Sequence, residues 1–132
     1  MPEIRSALAY LGRVQGLAEG VVKSLGIQGR MIAAAESCTA GLAADFIARI
    51  PGASNVFWGS FVTYTADAKF KMLGVSKELI EKYGAVSRPV ALAMAEGALE
   101  RSGASLAFSV TGLAGPDGDD SKTPVGDRKS VV

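Results

Sequence analysis

The fold is most readily recognised from the stretch MIAAAESCTAG, residues 31–41, where a short apolar run leads into a turn of small and polar residues. The apolar run at 31–35 predicts a buried strand. Residues 39–50 predict a helix, because Leu42, Phe46 and Ile50 share one face, and the Pro-Gly pair that follows ends it. A strand that leads directly into a helix is typical of α/β proteins with a parallel sheet.

The same alternation of helices and strands continues on both sides of this stretch. Apolar spacing predicts helices at 3–25, 66–73, 77–83 and 87–102, and strands at 56–65 and 106–110. Gly26 and Gly103 are expected to end the first and last of these helices, and Ser87 to cap the last. We therefore expect an α/β layered domain with a largely parallel sheet and a ligand site at the carboxyl ends of its strands.

The composition disfavours several classes of function. The chain has 132 residues, enough for one domain, with 14 basic and 13 acidic residues in no like-charged block. A general nucleic-acid surface is therefore not expected. No apolar run reaches the roughly 18–20 residues needed to cross a bilayer, and no signal peptide precedes the first helix, so we expect no membrane partner. A single cysteine fits a reducing compartment, which indicates a cytoplasmic protein.

The absence of histidine restricts the chemistry most. Catalytic units of the Ser-His-Asp and Cys-His types cannot form within one chain, and a lone cysteine without histidine cannot build a zinc site. We expect no metal and no cofactor. Any nucleophile must take its base from lysine, tyrosine, aspartate or glutamate.

Three stretches fall at the carboxyl ends of predicted strands, and the first is AESCTAG at 35–41. Ser37 and Thr39 lie where the N–H groups of a helix start could hold an anion, although capping of the helix is the simpler interpretation. Cys38 is typical of a buried small residue. Glu36 could orient a base, bond backbone N–H groups or lie on the surface.

The second stretch, FVTYTADAKFK at 61–71, supplies the candidate bases Tyr64, Lys69 and Lys71. A lysine base working near pH 7–8 needs its pKa lowered by about 2–3 units from its usual value near 10.4, and only a buried pocket can do that. We expect Lys71 to be solvated. Tyr64 could equally be a core aromatic with a satisfied hydroxyl.

The third stretch, SVTGLAGPDG at 109–118, carries glycines at every third position, 112, 115 and 118. Such a loop could bind phosphate through backbone N–H groups, but it matches neither a Walker A loop nor a G-x-G-x-x-G motif. An ordinary tight turn explains it nearly as well. Asp117, Asp119 and Asp120 suggest a hard cation, although a solvated loop is the expected state.

Together these stretches resemble the CinA C-terminal domain family, whose enzymatic members are nicotinamide mononucleotide deamidases. The resemblance covers about residues 5–126 and rests on four colinear strings: AESCTAG, GSFVTYTADAKFKMLGV, YGAVSRPVALAMAEGAL, and SVTGLAGPDG followed by TPVG. It implies a three-layer αβα sandwich with a mostly parallel sheet. It also implies hydrolysis of the carboxamide of nicotinamide mononucleotide without metal or cofactor, and a homo-oligomer.

Carried over by position, the resemblance implies roles for individual residues. Ser37 would be the nucleophile, Lys69 its base, and Tyr64 would assist or orient them. The implied substrate-binding residues are Glu36, Thr39, Thr111, Gly112 and Gly115. Two other functions stay open, a non-catalytic nucleotide-binding or competence-associated interaction domain and an inactive truncated fragment.

The chain departs from the family pattern after PVG at 124–126. Family members continue with a strand beginning GTVW, a further strand and a late G-D-R motif that opens a final helix, whereas this chain continues with DRKSVV at 127–132. Either an internal deletion joins PVG to the late motif, or DRKSVV is the translation of a sequencing adapter. We expect residues 1–126 to be an incomplete domain that lacks its last strand or strands and final helix, and 127–132 to be a non-native tail.

Overall fold

A computed structural model of the chain describes residues 1–118 and 123–132. Its elements follow in chain order: helix α1 (Pro2–Gln28), strand β1 (Ile32–Glu36), helix α2 (Leu42–Ala48), a 3-10 turn (Ala53–Asn55), strand β2 (Phe57–Val62), helices α3 (Ala66–Leu73), α4 (Lys77–Tyr83) and α5 (Arg88–Ser102), and strands β3 (Leu106–Gly112) and β4 (Arg128–Val131). Although α1 has 27 residues, none of the helices in this part of the chain is both long and apolar enough to cross a membrane.

The sheet has the strand order β2-β1-β3-β4. Strand β1 lies in the middle and pairs in parallel with β2 and β3, so that Glu36 faces Val62 on one side and Val110 on the other. Strand β4 pairs with β3 in the antiparallel direction. The carboxyl ends of β1, β2 and β3 therefore meet at one edge of the sheet, where α/β proteins hold their ligands.

Helices cover the sheet on both faces, which confirms the three-layer α/β class. One core lies between the sheet and α1 and α2, and is built around Val22, Leu25, Ile32 and Ile47. The other lies under α3, α4 and α5, around Ala33, Ala35, Leu73, Val90 and Met94. The three alanines of β1 are fully buried, so the short side chains of the central strand let both helix layers approach closely.

A large apolar cavity of about 800 Å³ lies on the α1 and α2 side of the sheet. Its walls come from α1, α2 and β3, and include Leu17, Val21, Phe46 and Phe108. Leu17 is 71% exposed even though it is apolar. The cavity lies away from the carboxyl edge of the parallel strands, and Ser37 and Lys69 are not part of its lining.

The predicted helix boundaries were right for α3, α4 and α5 and wrong for the first two helices. Helix α1 continues through Gly26 to Gln28, and Gly29 ends it in the left-handed conformation at φ 62°. Helix α2 begins at Leu42, because Ala40 and Gly41 take positive φ values of 49° and 103° and hold residues 38–41 in a turn. That turn separates the end of β1 from the helix and leaves room for a site.

The last residues form an edge strand. In β4, Arg128 lies opposite Gly112 and Val131 opposite Ser109. No helix follows β3 in the described residues, which end at Val132. The interpretation of residues 127–132 as a non-native tail stays a prediction.

Replacing Gly97 by alanine should destabilise the fold by about 1–3 kcal/mol, because a β-carbon there would overlap the backbone carbonyl of Leu73, where α3 crosses α5. The matched control is Gly20→Ala on α1, where a β-carbon meets nothing within 4 Å; it should stabilise by about 0.5–1 kcal/mol. Urea unfolding followed by circular dichroism measures both changes. Equal effects of the two substitutions would contradict this account of the α3–α5 packing.

Candidate active site

The amine of Lys69 contacts the hydroxyl of Ser37, although 32 positions separate the two residues. Its Nζ lies 2.9 Å from Ser37 Oγ, 2.9 Å from the carbonyl oxygen of Thr63 and 3.2 Å from that of Tyr64. The Lys69 side chain is 1% exposed. The buried amine of Lys69 therefore lies next to the Ser37 hydroxyl, at the edge of the sheet where the parallel strands end.

Neighbouring strands hold this contact in place. The Ser37 N–H donates to Val110 O of β3 at 2.9 Å, and the Thr63 N–H donates to Glu36 O of β1 at 2.8 Å. Thr65 is the N-cap residue of helix α3, and its side chain accepts a hydrogen bond from the Ala68 N–H. The first turn of α3 brings Lys69 back over the end of β1, because β1 and β2 are parallel neighbours.

Burial lowers the pKa of Lys69 to about 8, and the electrostatic interaction with Cys38 acts in the opposite direction and raises it. As an ammonium, Lys69 donates to all three of its oxygen partners. As a neutral amine, it can donate to the two carbonyl oxygens and accept the Ser37 hydroxyl proton with its lone pair. Proton transfer between Ser37 and Lys69 therefore requires no movement of heavy atoms.

The side chain of Glu36 bonds free backbone N–H groups at the start of helix α2. Its carboxylate accepts hydrogen bonds from the N–H groups of Ala43 at 2.9 Å and Ala44 at 3.0 Å, and from Ser60 Oγ at 3.1 Å. Glu36 is fully buried, so the expectation that its carboxylate bonds backbone N–H groups is confirmed and the surface alternative is wrong.

The expected cap by Ser37 or Thr39 is also wrong, because Gly41 is the N-cap residue of α2 and no side chain caps the helix from that position. The first free N–H groups of α2 are already bonded to Glu36. A substrate anion therefore cannot use the donors of Ala43 and Ala44. The Thr39 hydroxyl is buried and has no hydrogen-bond partner in the described part of the chain.

A pocket of about 230 Å³ opens beside the Ser37–Lys69 pair. Its lining brings together most of the residues that the sequence singled out: Ser37, Tyr64, Lys69, Thr111, Gly112 and Gly115. Glu36 and Thr39 are not part of the lining. Tyr64 is 64% exposed, so the core-aromatic alternative is wrong, and Lys71 is solvated as expected, in an ion pair with Asp67.

Several pocket residues could not be singled out from the sequence. Ala85 and Val86 come from the connection between α4 and α5, and the Thr111 hydroxyl ties that connection to β3 by donating to Ala85 O at 2.9 Å. Cys38, which was expected to be a buried small residue, is only half-buried and also lines the pocket. The sequence signals for the wall at 85–86 were its position before a capped helix and its place in the string YGAVSRPVALAMAEGAL.

Asp117 belongs to the pocket lining, whereas Asp119 and Asp120 lie outside the described residues. Across residues 1–118 and 123–132, no group of three or more histidine, cysteine, aspartate or glutamate side chains is placed to hold a metal ion. The site thus combines a hydroxyl, a buried amine and a glycine-rich wall.

Comparisons of the sequence with known families and curated proteins find related chains. The family model of the CinA C-terminal domain matches residues 14–128. A CinA-like protein of Akkermansia muciniphila is 54% identical over 110 residues, which are 83% of this chain and 27% of that protein. The chain spans 30% or less of the length of the first curated relatives that it matches.

Solved structures agree with these sequence matches. The competence/damage inducible protein CihA from Agrobacterium tumefaciens is 47% identical with a TM-score of 0.85, and the match covers 89% of this chain and 71% of that one. The competence damage-inducible protein A from Klebsiella pneumoniae subsp. pneumoniae MGH 78578 is 31% identical with a TM-score of 0.86, over 89% and 73% of the two chains.

The buried amine should make stability depend on pH. The pKa of Lys69 is about 8 in the folded chain and near 10.5 when unfolded, so the unfolded state holds one more proton between these values. The free energy of unfolding of the wild type should therefore rise, relative to Lys69→Met, by about 3 kcal/mol between pH 7.5 and pH 10.5.

Urea titrations at a series of pH values measure the difference in the free energy of unfolding between the wild type and Lys69→Met. The contributions of the other titrating groups are common to both proteins and cancel. Lys71→Met is the matched control, because Lys71 lies two positions further along α3 and is exposed. That variant should parallel the wild type. A constant difference between Lys69→Met and the wild type across the range would contradict a lowered pKa.

Proposed function

The chain belongs to the CinA C-terminal domain family, and we propose that it hydrolyses the carboxamide of nicotinamide mononucleotide to nicotinate mononucleotide and ammonia. The identity of the substrate is inferred from the resemblance of the motifs to those of the family. The observation that carries the proposal is the 2.9 Å contact between the buried Lys69 amine and Ser37 Oγ. A serine next to a lysine of lowered pKa is an activated nucleophile, and it requires neither histidine nor metal.

In the first half of the reaction, Ser37 Oγ attacks the carboxamide carbon while neutral Lys69 takes the hydroxyl proton. The resulting ammonium then gives this proton to the amide nitrogen, the carbon–nitrogen bond breaks and ammonia leaves. The nicotinoyl group stays as an ester on Ser37, and Lys69 is again neutral.

In the second half, water replaces ammonia. Lys69 takes a proton from the water as its oxygen attacks the ester carbon, and then returns that proton to Ser37 Oγ as the ester bond breaks. Nicotinate mononucleotide leaves as the free acid, which ionises, and both residues regain their starting forms.

We assign the stabilisation of the oxyanion to the turn at 38–41. The Ser37 N–H is already bonded to Val110 O, whereas no acceptor for the Cys38 N–H is found within the described ranges. Cys38 also lines the pocket. One such donor is typically worth about 10²–10³ in rate.

The remaining pocket residues would bind the rest of the substrate. Tyr64 stands exposed at the pocket, where it can assist or orient the reacting groups, and Thr111 holds the wall at Ala85. We assign the ribose phosphate to the glycine-rich loop at 112–118, because loops of this kind can bind phosphate through backbone N–H groups. We also propose that the protein is a cytoplasmic homo-oligomer.

Removing either member of the pair should abolish ammonia release from nicotinamide mononucleotide. Ser37→Ala and Lys69→Met should each lower kcat/KM by at least about 10³-fold, because neither residue acts without the other. Lys71→Met, the exposed lysine on the same helix, should stay within about twofold of the wild type. Circular dichroism verifies that each variant is folded.

Full activity in folded Ser37→Ala would falsify the assignment of the nucleophile. If the wild type binds the nucleotide without releasing ammonia, the chain is a binding domain instead.

The pH profile should follow the deprotonation of Lys69. Because only the neutral amine acts as a base and its pKa in the free chain is about 8, kcat/KM should rise about tenfold per pH unit below pH 8 and level off above it. Steady-state ammonia release between pH 5.5 and 9.5 measures the profile. A flat profile across pH 6–9 is incompatible with Lys69 as the base.

A further inference from the structure

We propose that the site is selective for amides carried on a positively charged ring, and that the ring charge itself holds Lys69 in the neutral form that the reaction needs. The inference rests on the proposed function and concerns the same pocket. In nicotinamide mononucleotide, the ring nitrogen that bears the ribose is a pyridinium and carries a fixed positive charge at every pH. Binding would therefore place the fixed positive charge of the ring beside Lys69, which is positively charged when it is protonated.

Bond geometry limits how far apart the two charges can be. Lys69 Nζ lies 2.9 Å from Ser37 Oγ. The carboxamide carbon must come within about 3 Å of that oxygen for attack. The pyridinium nitrogen is three covalent bonds from the carboxamide carbon. The pyridinium nitrogen and Lys69 Nζ are therefore at most about 10 Å apart in a reactive arrangement.

The surroundings of Lys69 leave its ammonium form without a counter-ion. The Lys69 amine bonds one hydroxyl and two carbonyl oxygens, and among the described residues no carboxylate pairs with it. Asp67, two positions before Lys69, forms an ion pair with Lys71 instead. Glu36, the residue before Ser37, directs its carboxylate at α2. A second positive charge in the pocket therefore acts on Lys69 with no compensating anion in contact.

The other ionisable groups around the pocket do not all act in the same direction, because Cys38 raises the pKa of Lys69, against the effect of burial. Cys38 and Tyr64 line the pocket, and the connection between α4 and α5 contributes the apolar Ala85 and Val86. Asp117 lies in the lining on the glycine-rich loop, where an acidic side chain suits a cationic ring and would offset part of the effect of the ring charge on Lys69. From β4, Arg128 packs its side-chain stem beside Gly112.

The size of the coupling follows from Coulomb's law. Two unit charges about 7 Å apart at an effective dielectric constant of about 20 shift the pKa of Lys69 by roughly one to two units. By linkage, the cationic substrate binds the neutral form of Lys69 about 10- to 100-fold more tightly than the protonated form. Near pH 7, substrate binding would convert a mostly protonated lysine into a mostly neutral base.

The matched probe is the reduced nucleotide, dihydronicotinamide mononucleotide. It keeps the carboxamide, ribose and phosphate, but its ring is neutral. Ser37→Ala is expected to bind both nucleotides without turnover. Titration calorimetry on this variant, repeated in two buffers of different ionisation enthalpy, measures the protons released on binding. Proton exchange by the phosphate is common to both ligands and cancels in their difference.

At pH 7.5 we expect the oxidised nucleotide to release about 0.7 proton more than the reduced one, as a shift of about 1.5 units from a pKa near 8 requires. Ser37→Ala combined with Lys69→Met should abolish this difference. In the wild type, the pKa that governs kcat should lie one to two units below the pKa that governs kcat/KM, since kcat reports the bound state.

Equal proton release by the two nucleotides, or a difference that persists without Lys69, overturns the inference. In that case ammonia release by the wild type still supports the hydrolytic function. Loss of the function has a separate signature, which is binding of the nucleotide with no ammonia formed. If the oxidised nucleotide does not bind at all, both proposals fail.

Discussion

The burial of one amine behind one hydroxyl is the constraint on which the rest of the site depends. Lys69 can approach Ser37 only because β1 and β2 are parallel neighbours and α3 turns back over their ends. The three-layer fold makes this approach rigid, since both faces of the sheet are covered and the central strand is fully buried. An amine placed in this way loses hydration, and that loss makes it a base at moderate pH.

Much of this site could be predicted from the sequence, because the absence of histidine and the spacing of the motifs can both be read without knowing how the elements pack. Without histidine, a lysine base is the economical partner for Ser37, and the family motifs favour Lys69 over Lys71. The wall at 85–86 could not be predicted in the same way, because it depends on how α5 packs against β3. The same holds for β4, whose pairing with β3 no local pattern in DRKSVV indicates.

Glu36 shows the difference between identifying a residue and knowing its role. The motif AESCTAG singles it out, but the direction of its side chain is a property of the strand. Successive residues of a strand point to opposite faces, so Glu36, the last residue of β1, turns to α2, while Ser37, directly after the strand, faces the pocket. The carboxylate therefore fixes the helix beyond the turn, and the hydroxyl next to it is free to react.

The large apolar cavity between α1, α2 and β3 has a practical consequence. Dyes that fluoresce in apolar surroundings report unfolding only when the native protein does not bind them. We expect such dyes to bind in this cavity of the folded chain, so that a melting experiment with them begins from a bright native baseline. Far-ultraviolet signals from the helical layers give the more dependable record of thermal denaturation.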